Sequence, residues 1–323
     1  MNVQCELCPK GCVIAPGQSG ECRIRINIDG KLAAVTYGHP CSVHVDPVEK
    51  KPMYHFLPGT GILSVATVGC NLHCKNCQNW EISQQNPEDV SAAFLPPENI
   101  PPLAVKHNCP SVAYTYSEPL AWYEYTLDGC IGARDAGLRN VLVTAGYANR
   151  PPLEKLFRYV DGMNIDIKAM SDEFYRDICG GTLQPVLNAC MLAKSSGVWV
   201  ELTNLVIPTL NDSDKDLQKL CRWAAAEMGE DTPLHFSRFF PHYKMKNLPQ
   251  TPAETLDRAE QIARAEGLRH VYIGNLDRPK GNNTYCHACN RLLVERRGFV
   301  VVRNDIAGGK CPDCKTEVSG IWK

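Results

Sequence analysis

The segment TVGCNLHCKNCQNW places Cys70, Cys74 and Cys77 at C-x3-C-x2-C spacing. Three thiolates on one loop satisfy three irons of a [4Fe–4S] cubane and leave the fourth iron without a protein ligand. That open corner suits a small molecule whose amine and carboxylate chelate the iron. Gly69 and Asn71 fit the tight backbone turn that three converging ligands require. Zinc would want a fourth ligand close by. His73 is available, but it sits inside the loop, where the geometry is cramped. The expectation is a reactive cluster.

Two further cysteine groups flank this one. Cys286, Cys289, Cys311 and Cys314 form two C-x2-C knuckles separated by 21 residues, a spacing suited to a tetrathiolate zinc-ribbon or rubredoxin-like iron site. Zinc is the preferred reading there. With little else to form a core, the metal would supply the folding energy. At the other end, Cys5, Cys8, Cys12 and Cys22 stand at C-x2-C-x3-C-x9-C, with Cys41 further on. Their count suits a second metal, either zinc or an auxiliary iron–sulfur cluster, with a structural metal preferred. His39, His44 and His55 are substitutes if one cysteine is not a ligand. In all, 12 of the 17 cysteines fall in these three groups. An odd total on a long chain argues for metals over disulfides.

These ligands need a scaffold. Apolar runs at 62–69, 111–116, 140–146, 162–168, 198–208, 233–240 and 270–275 read as buried strands. Amphipathic helices alternate with several of them. The clearest spans 213–228, with Leu217, Leu220, Cys221, Ala224 and Met228 on one face, a cap at Asn211, Asp212 and Ser213, and a stop at Gly229. A second runs over 252–266. Strand–helix alternation predicts an α/β fold of parallel βαβ units, which carry ligands at the carboxyl ends of the strands. The texture changes near both ends, dividing the chain into 1–57, 58–279 and 280–323.

Composition narrows the rest. The formal charge is −1, so no global field favours nucleic acid or an anionic membrane. Residues 280–323 hold eight Lys/Arg against four Asp/Glu, but without interleaved aromatic residues this argues little for nucleic acid. No apolar run approaches the roughly 20 residues of a membrane span. The start, MNVQCELCPKGC, lacks the features of a signal peptide, so a cytoplasmic location is expected.

CNLHCKNCQNW, followed by TYSEP, DIK and a four-cysteine carboxyl-terminal module, resembles the radical SAM enzyme of the AmmeMemoRadiSam system. That family is related to the pyruvate formate-lyase activating enzymes. The resemblance extends to CELCPKGCVIAPGQSGECRIR, HVDPVEKKPMYHFLPGT and YIGNLDRPKGNNTYCHAC. It implies a partial (β/α)6-type TIM barrel and S-adenosylmethionine as cofactor or cosubstrate. Reductive cleavage would give a 5′-deoxyadenosyl radical that abstracts hydrogen from a protein or small-molecule substrate. An external electron donor of the flavodoxin or ferredoxin type and a Memo-type protein partner also follow from the resemblance. Activation of a glycyl-radical enzyme is one form of this reading. A multi-cluster electron-transfer or metal-binding protein without such chemistry is the alternative from another class.

The resemblance also implies roles for residues at strand ends. The activating enzymes bond the methionine amine with a Gly-Gly-Glu-Pro stretch, where this chain has Tyr116, Ser117 and Glu118. Asp166 and Lys168 match a DxK motif used for the cofactor, and as alternate strand residues they share one face. Thr144 and Asn204 are weaker candidates, as are His235 and Asn275. An aromatic residue usually precedes the third cysteine; here it is Asn76, which leaves adenine packing to Gln78 or Trp80.

Overall fold

The computed structural model describes residues 1–277 and 282–323. An eight-stranded sheet organises it: β1 (Ser42–Pro47), β2 (Gly61–Ala66), β3 (Ser111–Tyr114), β4 (Arg139–Thr144), β5 (Gly162–Asp166), β6 (Trp199–Val206), β7 (Leu234–Arg238) and β8 (Val271–Gly274). Each strand pairs with the next in sequence. From β2 to β8 all pairings are parallel, while β1 runs antiparallel to β2. The outer strands β1 and β8 do not pair with each other, so the array is an open, partial barrel.

Six helices make the crossovers: α1 (Ile100–Lys106), α2 (Tyr123–Asp135), α3 (Arg150–Leu156), α4 (Leu183–Ser195), α5 (Asp214–Trp223) and α6 (Ala253–Ala265). Strands buried on both faces read as apolar runs, and every residue of β3 is buried. α5 turns Leu217, Leu220 and Cys221 inward. Its first turn is capped by Ser213, whose hydroxyl accepts from the Asp216 amide. The helix widens into a π-turn at Ala224–Met228 before Gly229, where φ is +93°.

β1 comes from the segment read as an amino-terminal module, so part of residues 1–57 is built into the main sheet. Ahead of it, the hairpin Arg25–Ile28 with Lys31–Ala34 and the short pair Val3–Gln4 with Val13–Ile14 carry the amino-terminal cysteines. After β8, strands Thr284–Tyr285, Leu292–Arg297 and Val300–Asn304 form a separate antiparallel sheet. The division at 279/280 lies outside the described residues.

Candidate active site

A cavity of about 740 Å³ opens at the carboxyl ends of the strands. Its walls include Cys70, Cys74, Cys77, Tyr116, Ser117, Glu118, Thr144, Asp166, Lys168 and Gln78. Parallel strands force this convergence, because every strand end and its following loop lie on the same side of the sheet.

The cysteine loop follows β2 and is held from several sides. The Gly69 amide donates to the Ile82 carbonyl at 2.8 Å, the His73 amide to Cys179 at 2.7 Å, and the Lys75 amide to Ile178 at 2.9 Å. Burial, with the charge of Glu118, pushes the Cys70 thiol well up. Burial likewise raises Cys77, against a contact of 3.1 Å with the Ser83 hydroxyl. Cys74 differs: a hydrogen bond from Cys179, helped by the Lys168 ammonium, favours its thiolate. Metal ligation needs thiolates, so a cation beside this loop assists it. Cys179 had no motif around it, and only the fold brings it to the trio.

Glu118 is buried beyond β3. Its Oε1 accepts from Thr144 Oγ1 at 2.5 Å and the Leu120 amide at 3.0 Å, and its Oε2 from the Ala145 amide at 2.9 Å. Burial nevertheless raises its pKa, the expected response of a carboxylate removed from water. Thr144 thus orients Glu118. Tyr116 has φ +65° and centres a tight turn closed by the Ser117 amide on the Thr115 carbonyl. Such backbone is costly for a non-glycine residue. The phenol is anchored by donation to Asp46, and the Lys51 ammonium lies 4.1 Å from its ring.

Asp166 and Lys168 share the expected face, with Nζ 3.1 Å from Oδ2. Burial opposes the lysine charge, but Asp166, Cys74 and Cys179 outweigh it and hold the pKa well above the ordinary value. Asn204 is not on the cavity wall, which corrects the expectation for it. Its odd-numbered neighbours Thr203 and Leu205 face the cavity, and strand alternation turns Asn204 away. Its amide instead donates to the Ile167 carbonyl at 2.8 Å and holds the end of the DIK strand. His235 is tied to Glu201 at 2.7 Å, and Glu201 also accepts from the Tyr54 and His55 amides. Asn275 lies exposed at the rim. Trp80 lies outside the cavity wall, its ring stacked on Tyr243.

Asn76 takes on a meaning its sequence position did not convey. It is buried, it lines the cavity, and its Oδ1 has no hydrogen-bond partner among the described residues. A buried acceptor left unpaired is costly, so this atom is suited to a donor on a bound molecule. Together with three thiols and paired acidic and basic groups, it makes the cavity chemically compatible with a cubane and a zwitterionic nucleoside. At the far end, Cys286, Cys289, Cys311 and Cys314 bring all four sulfurs within 4.8 Å of one another, a set that could bind one metal ion.

Comparison with known proteins agrees with this geometry. The profile of the radical SAM superfamily matches residues 64–224. Over 319 residues the chain is 46% identical to an uncharacterized protein of Methanocaldococcus jannaschii, covering 98% of this chain and 95% of that one. It is 25% identical over 169 residues to the pyruvate formate-lyase-activating enzyme of Clostridium pasteurianum, covering 50% of this chain and 69% of that enzyme. Among solved structures, Streptococcus suis SuiB bound to S-adenosylmethionine has the same fold, with a TM-score of 0.53 at 12% identity. That match covers 71% of this chain and 53% of SuiB. Among the described residues, no helix is long and apolar enough to cross a membrane.

Proposed function

We propose that this chain, which belongs to the radical SAM superfamily, cleaves S-adenosylmethionine at a [4Fe–4S] cluster on Cys70, Cys74 and Cys77 to start hydrogen abstraction from a bound substrate. The observation that carries the reading is the meeting of those three thiols with Glu118, Thr144, Asp166 and Lys168 in one cavity. When held by these thiols, a cluster would supply the electron for reductive cleavage of the carbon–sulfur bond to a 5′-deoxyadenosyl radical.

The chain's own residues do the positioning. Glu118, fixed by Thr144 and two backbone amides, receives the methionine ammonium beside Tyr116 and Ser117. Asp166 and Lys168 take the remaining polar groups of the cofactor, Lys168 pairing with a carboxylate and Asp166 accepting from hydroxyls. Asn76 Oδ1 offers its unused acceptor, and Gln78 stands at the mouth for the adenine. Around buried Glu118 and Lys168, which is 19% exposed, a lowered dielectric strengthens such contacts.

Within this reading the enzyme is the radical SAM component of an AmmeMemoRadiSam system. It draws electrons from a flavodoxin- or ferredoxin-type donor and works with a Memo-type protein partner. Similarity to an activating enzyme supports a protein substrate of the glycyl-radical type over a small molecule. Cys286, Cys289, Cys311 and Cys314 hold one structural zinc or iron ion.

The test is anaerobic reconstitution, reduction with dithionite and addition of S-adenosylmethionine. 5′-Deoxyadenosine is expected from the native chain and none from Cys74→Ala. A chain with an intact, reducible cluster and no product would overturn the reading in favour of electron transfer alone.

A further inference from the structure

The two outer cysteine groups hold their sulfurs at different separations. In the carboxyl-terminal set, Cys286 and Cys314 stand 3.5 Å apart, and Cys289 and Cys311 3.7 Å apart. Thiolates on one tetrahedral ion, bound at about 2.3 Å, lie about 3.8 Å from one another. That set matches a single ion.

Cys5, Cys8, Cys12 and Cys22 instead surround a cavity of about 20 Å³. Cys5, Cys8 and Cys22 are buried, yet no three of the four sulfurs lie within 4.8 Å of one another. One ion could not bind three of them at thiolate distances in this arrangement. A cubane gives each thiolate its own iron, so its ligands ring the cluster at wider spacing. Cys70, Cys74 and Cys77 show the same spread: they too fail to bring three sulfurs within 4.8 Å.

We propose that Cys5, Cys8, Cys12 and Cys22 bind a second [4Fe–4S] cluster, one with no open iron. Four thiolates around a cubane leave a net negative charge, which is costly to bury without cations. The cavity wall holds two, Lys10 and Arg25, each shared with a carboxylate, Glu21 and Glu124 respectively. The backbone holds the loop in shape, with the Cys5 amide donating to the Cys12 carbonyl at 2.8 Å and the Gly11 amide to Cys8 at 3.1 Å. The pocket also touches the catalytic loop. Asn71, next to Cys70, lines it and hydrogen-bonds Cys8. Gly69, at φ +85°, packs so closely that a Cβ there would lie 2.4 Å from the Cys22 carbonyl oxygen.

The experiment counts acid-labile sulfide, which a zinc site lacks, on the full chain after anaerobic reconstitution. Two cubanes give about eight sulfides per chain and one gives about four. The variant Cys70→Ala/Cys74→Ala/Cys77→Ala, which has no catalytic cluster, is expected to keep about four irons and four sulfides with a cubane Mössbauer spectrum. Adding Cys8→Ala and Cys22→Ala should remove them. Loss of all labile sulfide from the triple variant, or zinc bound in its place, would overturn the proposal. If the triple variant does not fold, Cys8→Ala/Cys22→Ala in the native chain decides: a drop of about four sulfides supports the second cluster, and no drop overturns it. These counts do not depend on whether S-adenosylmethionine is cleaved.

Discussion

The amino-terminal and carboxyl-terminal cysteine groups contain four thiols each, but their supports differ. At the carboxyl end the knuckles bring their sulfurs together next to a small antiparallel sheet. The local core there is Leu293, Val294 and Val318 with two of the cysteines themselves. At the amino end, Cys8, Cys22 and Ile24 belong to the large core of the barrel. One module has a small interior of its own, docked on the barrel through Ile321 and Arg296, while the other shares the barrel's. Ligand count is therefore a poor guide to what a metal does for stability. What matters is how much apolar surface the segment buries without it.

The largest effect should come from removing a carboxyl-terminal ligand. Cys311→Ala should leave the segment after residue 284 open to protease, because metal binding in such modules contributes on the order of 10 kcal/mol. Cys8→Ala should leave the amino-terminal segment protected. Limited proteolysis of both variants checks this, and equal protection would erase the distinction.

Each module is also joined to the barrel by an Arg–Glu pair. Arg296 and Glu49 are both fully buried, 3.5 Å apart, and Arg296 also donates to the Tyr54 carbonyl. Arg296→Met should cost about 3–5 kcal/mol in denaturant unfolding, since it strands a buried carboxylate.

Acid should act next, on the seam of the carboxyl-terminal module. His270 packs against His55, with ring centroids 4.4 Å apart, and lies near His287. Burial pushes the His270 pKa down to about 4. Between that value and an unfolded pKa of about 6.5 the unfolded chain binds the proton and the folded chain does not. Stability should thus fall as pH falls through this window, by about 3 kcal/mol in full. His270→Gln should flatten the slope of unfolding free energy against pH.

The smallest effect should be at the other Arg–Glu pair. Arg25 meets Glu124 at 2.7 Å, but the glutamate is 44% exposed. In the metal-free chain Arg25→Met should therefore cost less than about 1 kcal/mol. A cost as large as that of Arg296→Met would break the contrast between the modules.

Much of the fold was legible along the chain. Strands with two buried faces announce themselves as apolar runs, and α5 and α6 carry helical periodicity with clear stops. β1 was not legible, because SVHVDP has one buried residue and mixed exposure. The placement of the cysteine trio and the shared face of Asp166 and Lys168 were readable because their geometry is local: a loop spacing and a strand alternation. Asn204 was misplaced by its parity on β6, which only the register of the sheet decides.

The sequence by itself determined the parts whose partners lie within a few residues. These are the C-x3-C-x2-C spacing of Cys70, Cys74 and Cys77, the two knuckles at the carboxyl end, and the alternation of strands and helices. Tertiary structure alone decided what depends on distant segments. It brought Cys179 to Cys74, left Asn76 Oδ1 without a hydrogen-bond partner among the described residues, and set the amino-terminal sulfurs apart while closing up the carboxyl-terminal ones. The reason is physical: ligand identity is carried by side chains, but ligand separation is set by the packing of backbones that meet only in the folded state.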